Sequence, residues 1–469
     1  MALNIKDTVL WADIRDIVYS PKKPVRNEYR LMIHTENEDI PALKMIALDE
    51  VRDYVNNIGD VNHVTFILPL GEYMVRLYPF RSNLEVTVKR ILLTEEGSTK
   101  ERNSIIYTER YKAVFLVDEN QNFTAKELEG VDLDSLNSMN VVEVKLQLLN
   151  RSLEPLRIKS VSGIFRNVTQ KQIIHNLMAG ESAKVKVDGK TSIDNIDIVE
   201  PDNKEVKKHV IFPDGSLVVN IPTYLQERMG GVYNSGIGSY LQVYKQKTTW
   251  FVYPLFNTNR FKTSKDDKAI IYAVTPGTFQ GLERTYKTEA DVIHILATNE
   301  TKYTDAADTD YMNKGSGFKM TDANSFMKKP VEITEQGAIP NRNRLNTEVV
   351  AEERKDGLNY APMISGRSSA NPFKEYSKVN SRNVARIDFI WENSNSSLLY
   401  PGMPCRYIFL DDDKIVELNG TICFVQNLTE LQGIGINGTV YKSKSVVTLL
   451  TEQKPLIRKI PKPNNPTVF

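Results

Sequence analysis

Short runs of β-branched and aromatic residues, cut apart by turn residues, constrain this chain most. Val64–Leu70 (VTFILPL), Glu72–Phe80 (EYMVRLYPF), Leu84–Leu93 (LEVTVKRILL) and Tyr111–Val117 (YKAVFLV) follow one another with Gly71, Ser82–Asn83 and Asp118–Asn120 between or after them. Runs of this length and composition read as strands. Short strands at this spacing point to an antiparallel barrel or sandwich over residues 1–140. One segment there reads differently. ALDEVRDYVNNIG, ending at Gly59, has the residues of a helix closed by a C-terminal glycine.

From 141 to 262 the pattern mixes helix and strand. VVEVKLQLLN (Val141–Asn150) alternates faces as a strand does. Thr169 and Gln172 form a capping-box pair, and Ile173, Ile174, Leu177 and Met178 then share one helical face. His175 lies beside that face and is expected to be partly buried. AKVKVD, HVIFP and LVVNIP read as further strands, and Pro222 opens a second helix that Gly230–Gly231 stops. Strand pattern returns at 267–300 (KAIIYAVT, VIHILATN) and at 383–452 (NVARIDFIWE, PCRYIFLD, KIVELNGTICFVQNL). Between them, residues 302–382 are polar and rich in Gly, Ser and Asn. Eighty weakly periodic residues are unusual inside a compact domain. They read as an insertion, either ordered by a partner or intrinsically flexible. The tail 453–469 carries four prolines, so it is expected to be extended and outside any central strand.

The composition excludes several function classes. Lys+Arg 60 against Asp+Glu 59 leaves a net charge of +1, so no bulk attraction to nucleic acid or an anionic membrane follows. Cys405 and Cys423 are too few for a disulfide framework and sit in apolar strand contexts, as small buried hydrophobes do. The stretch MALNIKDTVLWADI is broken by charges, unlike a secretory leader. No segment approaches the roughly 18–20 apolar residues that span a bilayer, so no stable membrane association is expected.

Motifs for chemistry dissolve on inspection. Gly433-Ile-Gly435-Ile-Asn-Gly438 has dinucleotide-loop spacing, but that chemistry needs a helix N-terminus behind it to hold the pyrophosphate. Here TVYKSKSVVTLL follows with strand alternation, and Asn437–Gly438 signals a hairpin. Asp411–Asp413 lies between two strands and lacks the spread of ligands and the turn glycine of a calcium loop. The five histidines (34, 63, 175, 209 and 294) are not paired at metal-ligand spacing, and no nucleophile elbow is present. No catalytic, metal or cofactor residue is nominated, and the chain is expected not to be an enzyme.

The segment Tyr224–Phe261 holds a helix start, a glycine-rich turn and the aromatic run Trp250, Phe251, Tyr253, Pro254 and Phe256. Such a run is either core or a subunit interface, where Trp and Tyr concentrate as anchors. Pro254 suggests an edge or a bulge. Tyr78 and Phe80, either side of Pro79, are nominated with them as candidate interface residues.

Three stretches together resemble the central baseplate hub proteins of contractile-tailed bacteriophages. They are Gly71–Leu84 (a strand, a Pro turn and a strand), Val161–Thr169 with Leu225–Arg260, and Pro401–Pro404 leading to Leu418–Gly420. The resemblance is spread over most of the chain and omits the insertion and the tail. It implies an α+β, mainly β fold with two antiparallel β-barrel-like domains, an intervening α/β domain and a polar insertion. On this chain those are 1–140, then 141–262, then 267–300 with 383–452, interrupted by 302–382 and followed by the extended tail 453–469. It also implies a structural virion protein, assembled in the host cytoplasm. A homotrimer would join a threefold spike to a sixfold tail tube and leave a bore for the genome. The implied partners are other copies of itself, the tail spike, tail tube and tape-measure proteins and other baseplate proteins, with DNA in transit and no cofactor. The competing readings are a carbohydrate-active or receptor-binding virion protein, and another tail-tube or baseplate component.

Overall fold

The computed structural model describes residues 9–19, 26–93, 104–116, 140–274, 284–298, 301–305, 319–321 and 348–350. It also describes positions 373, 377, 380 and 381, and then 384–411, 414–435 and 438–459. Most of the described chain is strand, in the α+β, mainly β class.

A short helix α1 (Val9–Val18) precedes seven strands: β1 (Arg26–His34), β2 (Asp39–Pro41), β3 (Lys44–Asp53), β4 (Val61–Pro69), β5 (Leu84–Leu93), β6 (Ser104–Phe115) and β7 (Val141–Asn150). In β4 every second residue is buried, so Val64, Phe66 and Leu68 face one core with Val86, Val88, Val144 and Leu146. Each such side chain contributes about 1.5–3 kcal/mol on burial. Antiparallel pairing runs β1–β5–β6–β7–β4–β3. The path then returns to β1, because β2 pairs with β1 and leads through Ala42 and Leu43 into β3.

Two expectations fail here for physical reasons. The segment expected to be a helix up to Gly59 is strand β3 over most of its length. Its backbone is paired on both edges, with β4 and with a strand from the far end of the chain, and that pairing outweighs a weak helical preference. Gly59 closes no helix. A Cβ there would lie 2.4 Å from Leu153 Cδ2, and its backbone bridges to Leu241. Glu72–Phe80, expected as a strand, is a run of helical turns across the end of the sheet. Its apolar residues Tyr73, Leu77 and Phe80 recur every three or four residues, a helical spacing. Leu77 is fully buried, and Tyr73 and Phe80 pack partly against the core.

The middle region comprises α2 (Leu153–Ile158), β8 (Ser160–Val168), α3 (Gln170–Lys184), β9 (Lys186–Val187), β10 (Lys190–Thr191), β11 (Asn195–Ile198), β12 (Lys207–Leu217), α4 (Ile221–Arg228), β13 (Ile237–Tyr244) and β14 (Lys247–Pro254). The capping box is formed as expected. Gln172 N–H donates to Thr169 Oγ1 at 3.3 Å, and Thr169 N–H donates to Gln172 Oε1 at 2.9 Å. Ile173, Ile174 and Met178 face a core with Val210, Phe212, Leu225 and Trp250, but His175 points to solvent. LVVNIP is a 3-10 turn running into α4, not a strand, and AKVKVD ends α3 with its first two residues and then forms the short strand β9. Two sheets flank these helices: β11–β14–β13, and the separate ribbon β8–β12.

The remaining strands are β15 (Lys268–Ala273), β16 (Tyr286–Glu289), β17 (Val292–Ala297), β18 (Lys302–Asp305), β19 (Lys319–Thr321), β20 (Glu348–Val350), β21 (Val384–Glu392), β22 (Pro404–Asp411), β23 (Lys414–Gly435), β24 (Gly438–Glu452) and β25 (Leu456–Lys459). Their order is β16–β17–β15–β22–β23–β24–β21–β18. The expected antiparallel pairing holds except that β15 runs parallel to both β17 and β22, a geometry that needs crossover connections. Gly435 pairs with Gly438 and Asp411 with Lys414, the antiparallel pairing expected at both motifs, while 412–413 and 436–437 lie outside the described residues. Cys405 and Cys423 are buried, as expected. Helix α1 lays Leu10, Ile14 and Ile17 on Tyr272, Leu296 and Ile408 of this sheet. Within the tail, β25 pairs with residues 414–417 of β23. Most of the polar insertion lies outside the described residues.

Strand β23 is the spine of the molecule. One of its edges pairs first with β22 and then with β3, and the other with β25 and β24. The β3–β23 ladder, from Asp53–Phe424 to Ala47–Glu430, joins the two strand-built cores into one sheet.

Candidate functional site

The aromatic run is an internal seam. Strand β14 lies between β11 and β13, and Trp250, Phe251, Tyr253 and Pro254 are buried in the chain itself. Pro254 sits past the last residue paired with β11, so its missing N–H breaks no ladder on that side. Tyr253 crosses between cores and its hydroxyl donates to Tyr54 O at 2.9 Å. Phe256 is half-buried beside Gly236.

Close to that seam, charged groups tie the three cores together. Arg52, on β3, is 4 % exposed. Its Nη1 donates to Ser396 O at 2.9 Å, its Nη2 to Glu50 at 3.2 Å and its Nε to Asp60 at 3.4 Å. Tyr240 of β13 donates to Asp60 at 2.9 Å, and Asn427 of β23 donates to Glu50 at 2.9 Å. Gln242 accepts from Tyr54 and donates to Leu399 O at 2.8 Å. Burial raises the Asp60 carboxyl above its usual range, against the pull of Arg52. Burial works against the Arg52 charge too, yet Asp60 and Glu50 hold its pKa well above the ordinary guanidinium value. Nearby, burial pushes the Glu109 carboxyl up to about 8, against a hydrogen bond from Tyr111. A buried cation held by two carboxylates fixes relative position, since losing either partner leaves an unpaired charge.

A second polar line has the residue types of a hydrolase triad. His34 Nδ1 lies 2.6 Å from Asp39 Oδ1, and its Nε2 lies 2.7 Å from Thr87 Oγ1. Thr87 is buried within β5, with β1 paired on one side and β6 on the other. The line therefore clasps the β1–β2 turn to β5. Among the described residues no group of three or more His, Cys, Asp or Glu could hold a metal ion. One small open cleft is lined by Asp197, Arg260, Asp266 and Tyr400 among others. Arg260 there is tied up by donating to Gly402 O at 3.0 Å.

Exposed apolar surface lies on the helical turns at residues 70–80. Met74 is 55 % exposed, Val75 71 % and Tyr78 41 %, and Leu70 and Val141 lie at its base. Inward, the Tyr78 ring meets Tyr73 and Phe115 at centroid distances of 5.7 and 6.5 Å. Arg76 is held by Glu38 and Glu72, and Arg81 stacks 4.3 Å over Tyr78. Of the nominated interface residues, Tyr78 is thus the exposed one. Met74 and Val75 were missed because the segment reads as a strand.

No protein-family model matches the chain, and no curated protein matches it. Several solved structures are similar, among them the following three. One is the 43 kDa tail protein of prophage MuSo2 from Shewanella oneidensis, with TM-score 0.45 and 10% identity, covering 90% of this chain and 98% of that one. Another is the E. coli c3393 protein, a type VI secretion component described as similar to phage T4 tail proteins gp27 and gp5. Its TM-score is 0.37 at 9% identity, covering 90% of this chain and 77% of that one. The third is a Francisella PdpA–VgrG complex, with TM-score 0.35 and 11% identity, covering 98% of this chain and 63% of that one. These likenesses fall among phage tail and secretion-system proteins.

Proposed function

We propose that the chain is a structural hub of a phage tail baseplate, three copies of which form a ring between a threefold spike and a sixfold tube. The observation that carries this reading is the β3–β23 seam. It places two strand-built cores in one continuous sheet, with the α/β core clamped beside them through Arg52, Asp60 and Tyr240. A chain with two β cores held at a fixed spacing presents two related faces, and three such chains present six. That is what a threefold-to-sixfold adaptor requires. A second observation is that the polar clusters are spent on internal ties. The function proposed is mechanical: to hold position, transmit load and leave a passage for DNA and the tape-measure protein. The passage is expected to be acidic or neutral, since Lys and Arg contacts to phosphate would retain DNA. The domain limits expected from the sequence and the exposed Tyr78 are part of this proposal.

The test is the mass in solution, with negative-stain images of the same sample. The expected result is a ring of about 160 kDa, three chains of 53.4 kDa, with a central hole. A chain that stays monomeric alone and with co-expressed spike or tube proteins overturns the reading and directs attention to glycan binding.

A further inference from the structure

The two strand-built cores are laid out alike. In the first, β3, β4, β7, β6 and β5 pair in that order, every pair antiparallel. In the second, β18, β21, β24, β23 and β22 pair in that order, again antiparallel throughout. Both sets also follow the same order along the chain, so β3 corresponds to β18, β4 to β21, β5 to β22, β6 to β23 and β7 to β24. One connection matches too. β4 reaches β5 through the helical turns at 70–80, and β21 reaches β22 past the 3-10 turn Ser396–Leu398. The likeness stops at the next strand, since β1 runs antiparallel to β5 and β15 parallel to β22.

This correspondence gives meaning to the seam inside the chain. There the outer edge of β3 pairs with residues 424–430 of β23, just beyond the stretch that β22 covers. From β3, Arg52 also donates to Ser396 O in the β21–β22 turn at 2.9 Å, and Glu50 accepts from Ser396 Oγ at 3.5 Å. The seam therefore has two halves. One is the outer edge of β3. The other is the uncovered end of β23 with the turn between β21 and β22.

Each core carries both kinds of half, and the seam uses one from each. What remains is the outer edge of β18 on the second core, and the end of β6 with the 70–80 turns on the first. Both are open among the described residues. β18 pairs with β21 alone, and Lys302, Tyr303 and Thr304 are exposed. β5 covers β6 only up to Ala113, and Val114 beyond it is 45 % exposed. The turns carry the exposed Met74, Val75 and Tyr78. Apolar side chains exposed together mark an interaction site, and an open strand edge is a template for a further strand. The exposed apolar turns thus lie where the internal seam has its counterpart.

We propose that the contact between copies repeats the contact within the chain: the outer edge of β18 of one copy docks antiparallel along the end of β6 of the next, against that copy's 70–80 turns. This rests on the ring reading above and specifies its contact. The occupant is a second copy because the half that matches the open face is a strand of this chain's own second core. Such a contact is head-to-tail, and it closes into a ring when the rotation per copy divides a full turn. With the same step within and between chains, three copies place six cores at equal spacing.

The experiment uses the full chain carrying Thr304→Cys or Val75→Cys, two exposed positions on the facing halves. The native Cys405 and Cys423 are buried, so the wild type should stay unlinked. The two variants are co-expressed, with spike or tube proteins where the wild-type ring needs them, and treated with a short bismaleimide. A covalent species of about 107 kDa, two chains of 53.4 kDa, is expected on a denaturing gel from the pair and from neither variant alone. The double variant Met74→Asp/Val75→Asp, also at exposed positions, should keep the wild-type circular dichroism and run as a 53.4 kDa monomer. A ring whose paired variants stay unlinked, or one that survives the double change, overturns this contact and leaves the ring reading standing. Linkage in either cysteine variant alone shows like halves meeting and overturns it as well. A wild type that forms no ring, alone or with spike or tube proteins, overturns both.

Discussion

Gly402 shows how tightly single positions are specified. Its φ is +66°, a conformation that costs a side-chain-bearing residue about 1–2 kcal/mol. A Cβ there would lie 2.1 Å from Tyr253 Cδ2, and the ring is buried and anchored by its hydroxyl on Tyr54 O. The ring cannot step aside without breaking that bond, so Gly402→Ala should cost several kcal/mol, overpacking alone supplying about 1–3. Urea midpoints of the two proteins measure it, and a loss under about 0.5 kcal/mol would show that the ring moves freely. Glu109 gives a pH prediction. Burial raises its carboxyl from 4.5 to about 8, so between those values the folded chain holds a proton that the unfolded chain has released. Its contribution is fully present below about pH 4.5 and is lost as pH rises to about 8, with a slope of at most about 1.4 kcal/mol per unit. Glu109→Gln should flatten that decline. Parallel stability–pH curves for the two proteins would reject the assignment.

At the scale of elements, the cap of α3 is the clearest case of local sequence deciding local structure. Thr169→Ala removes the acceptor for Gln172 N–H and should cost about 1 kcal/mol, measurable as a lowered urea midpoint. Thr169→Asn should restore most of it. Signals of this kind, a cap followed by an apolar face or a run of alternating β-branched residues, made α3, α4, β4, β5, β7 and β21 to β24 legible without a structure. Elements settled by distant partners were not legible. β3 carries Asp49, Glu50, Arg52 and Asp53, a poor strand composition, and becomes a strand because β4 and β23 pair both its edges. The turns at 70–80 carry apolar residues that satisfy either period, and the end of the sheet decides between them. The aromatic run was legible as packed or interfacial. Its burial follows from β11, four residues whose parallel pairing with β14 closes the second edge. The Arg52 cluster was not legible, because Glu50 and Asp60 lie near Arg52 in sequence among other charges while Tyr240 and Ser396 reach them from distant segments.

The whole molecule depends on how strongly its cores are coupled. The β3–β23 ladder and the Arg52 cluster both cross the same seam, so the cores should unfold together in the wild type. The tryptophans offer a way to see this. Trp250 belongs to the α/β core, Trp391 to the second strand-built core and Trp11 to the helix packed on the second sheet. The first strand-built core contains none, so fluorescence is blind to it, while circular dichroism sees all the strands. In the wild type the two urea curves should coincide. Arg52→Met leaves the half-buried Glu50 and Asp60 without their cation, a change that costs at most about 3–5 kcal/mol, the range for fully buried pairs. If the ion cluster supplies the coupling, the dichroism curve of this variant should spread over a range in which fluorescence stays flat, as one core opens before the others. If the backbone ladder supplies it, both curves move to lower urea and still coincide. The triple variant Arg52→Met/Glu50→Gln/Asp60→Asn separates charge from packing. Removing all three charges together should recover most of the lost stability, and a variant that stays split after that recovery would place the coupling in the geometry that Arg52 holds.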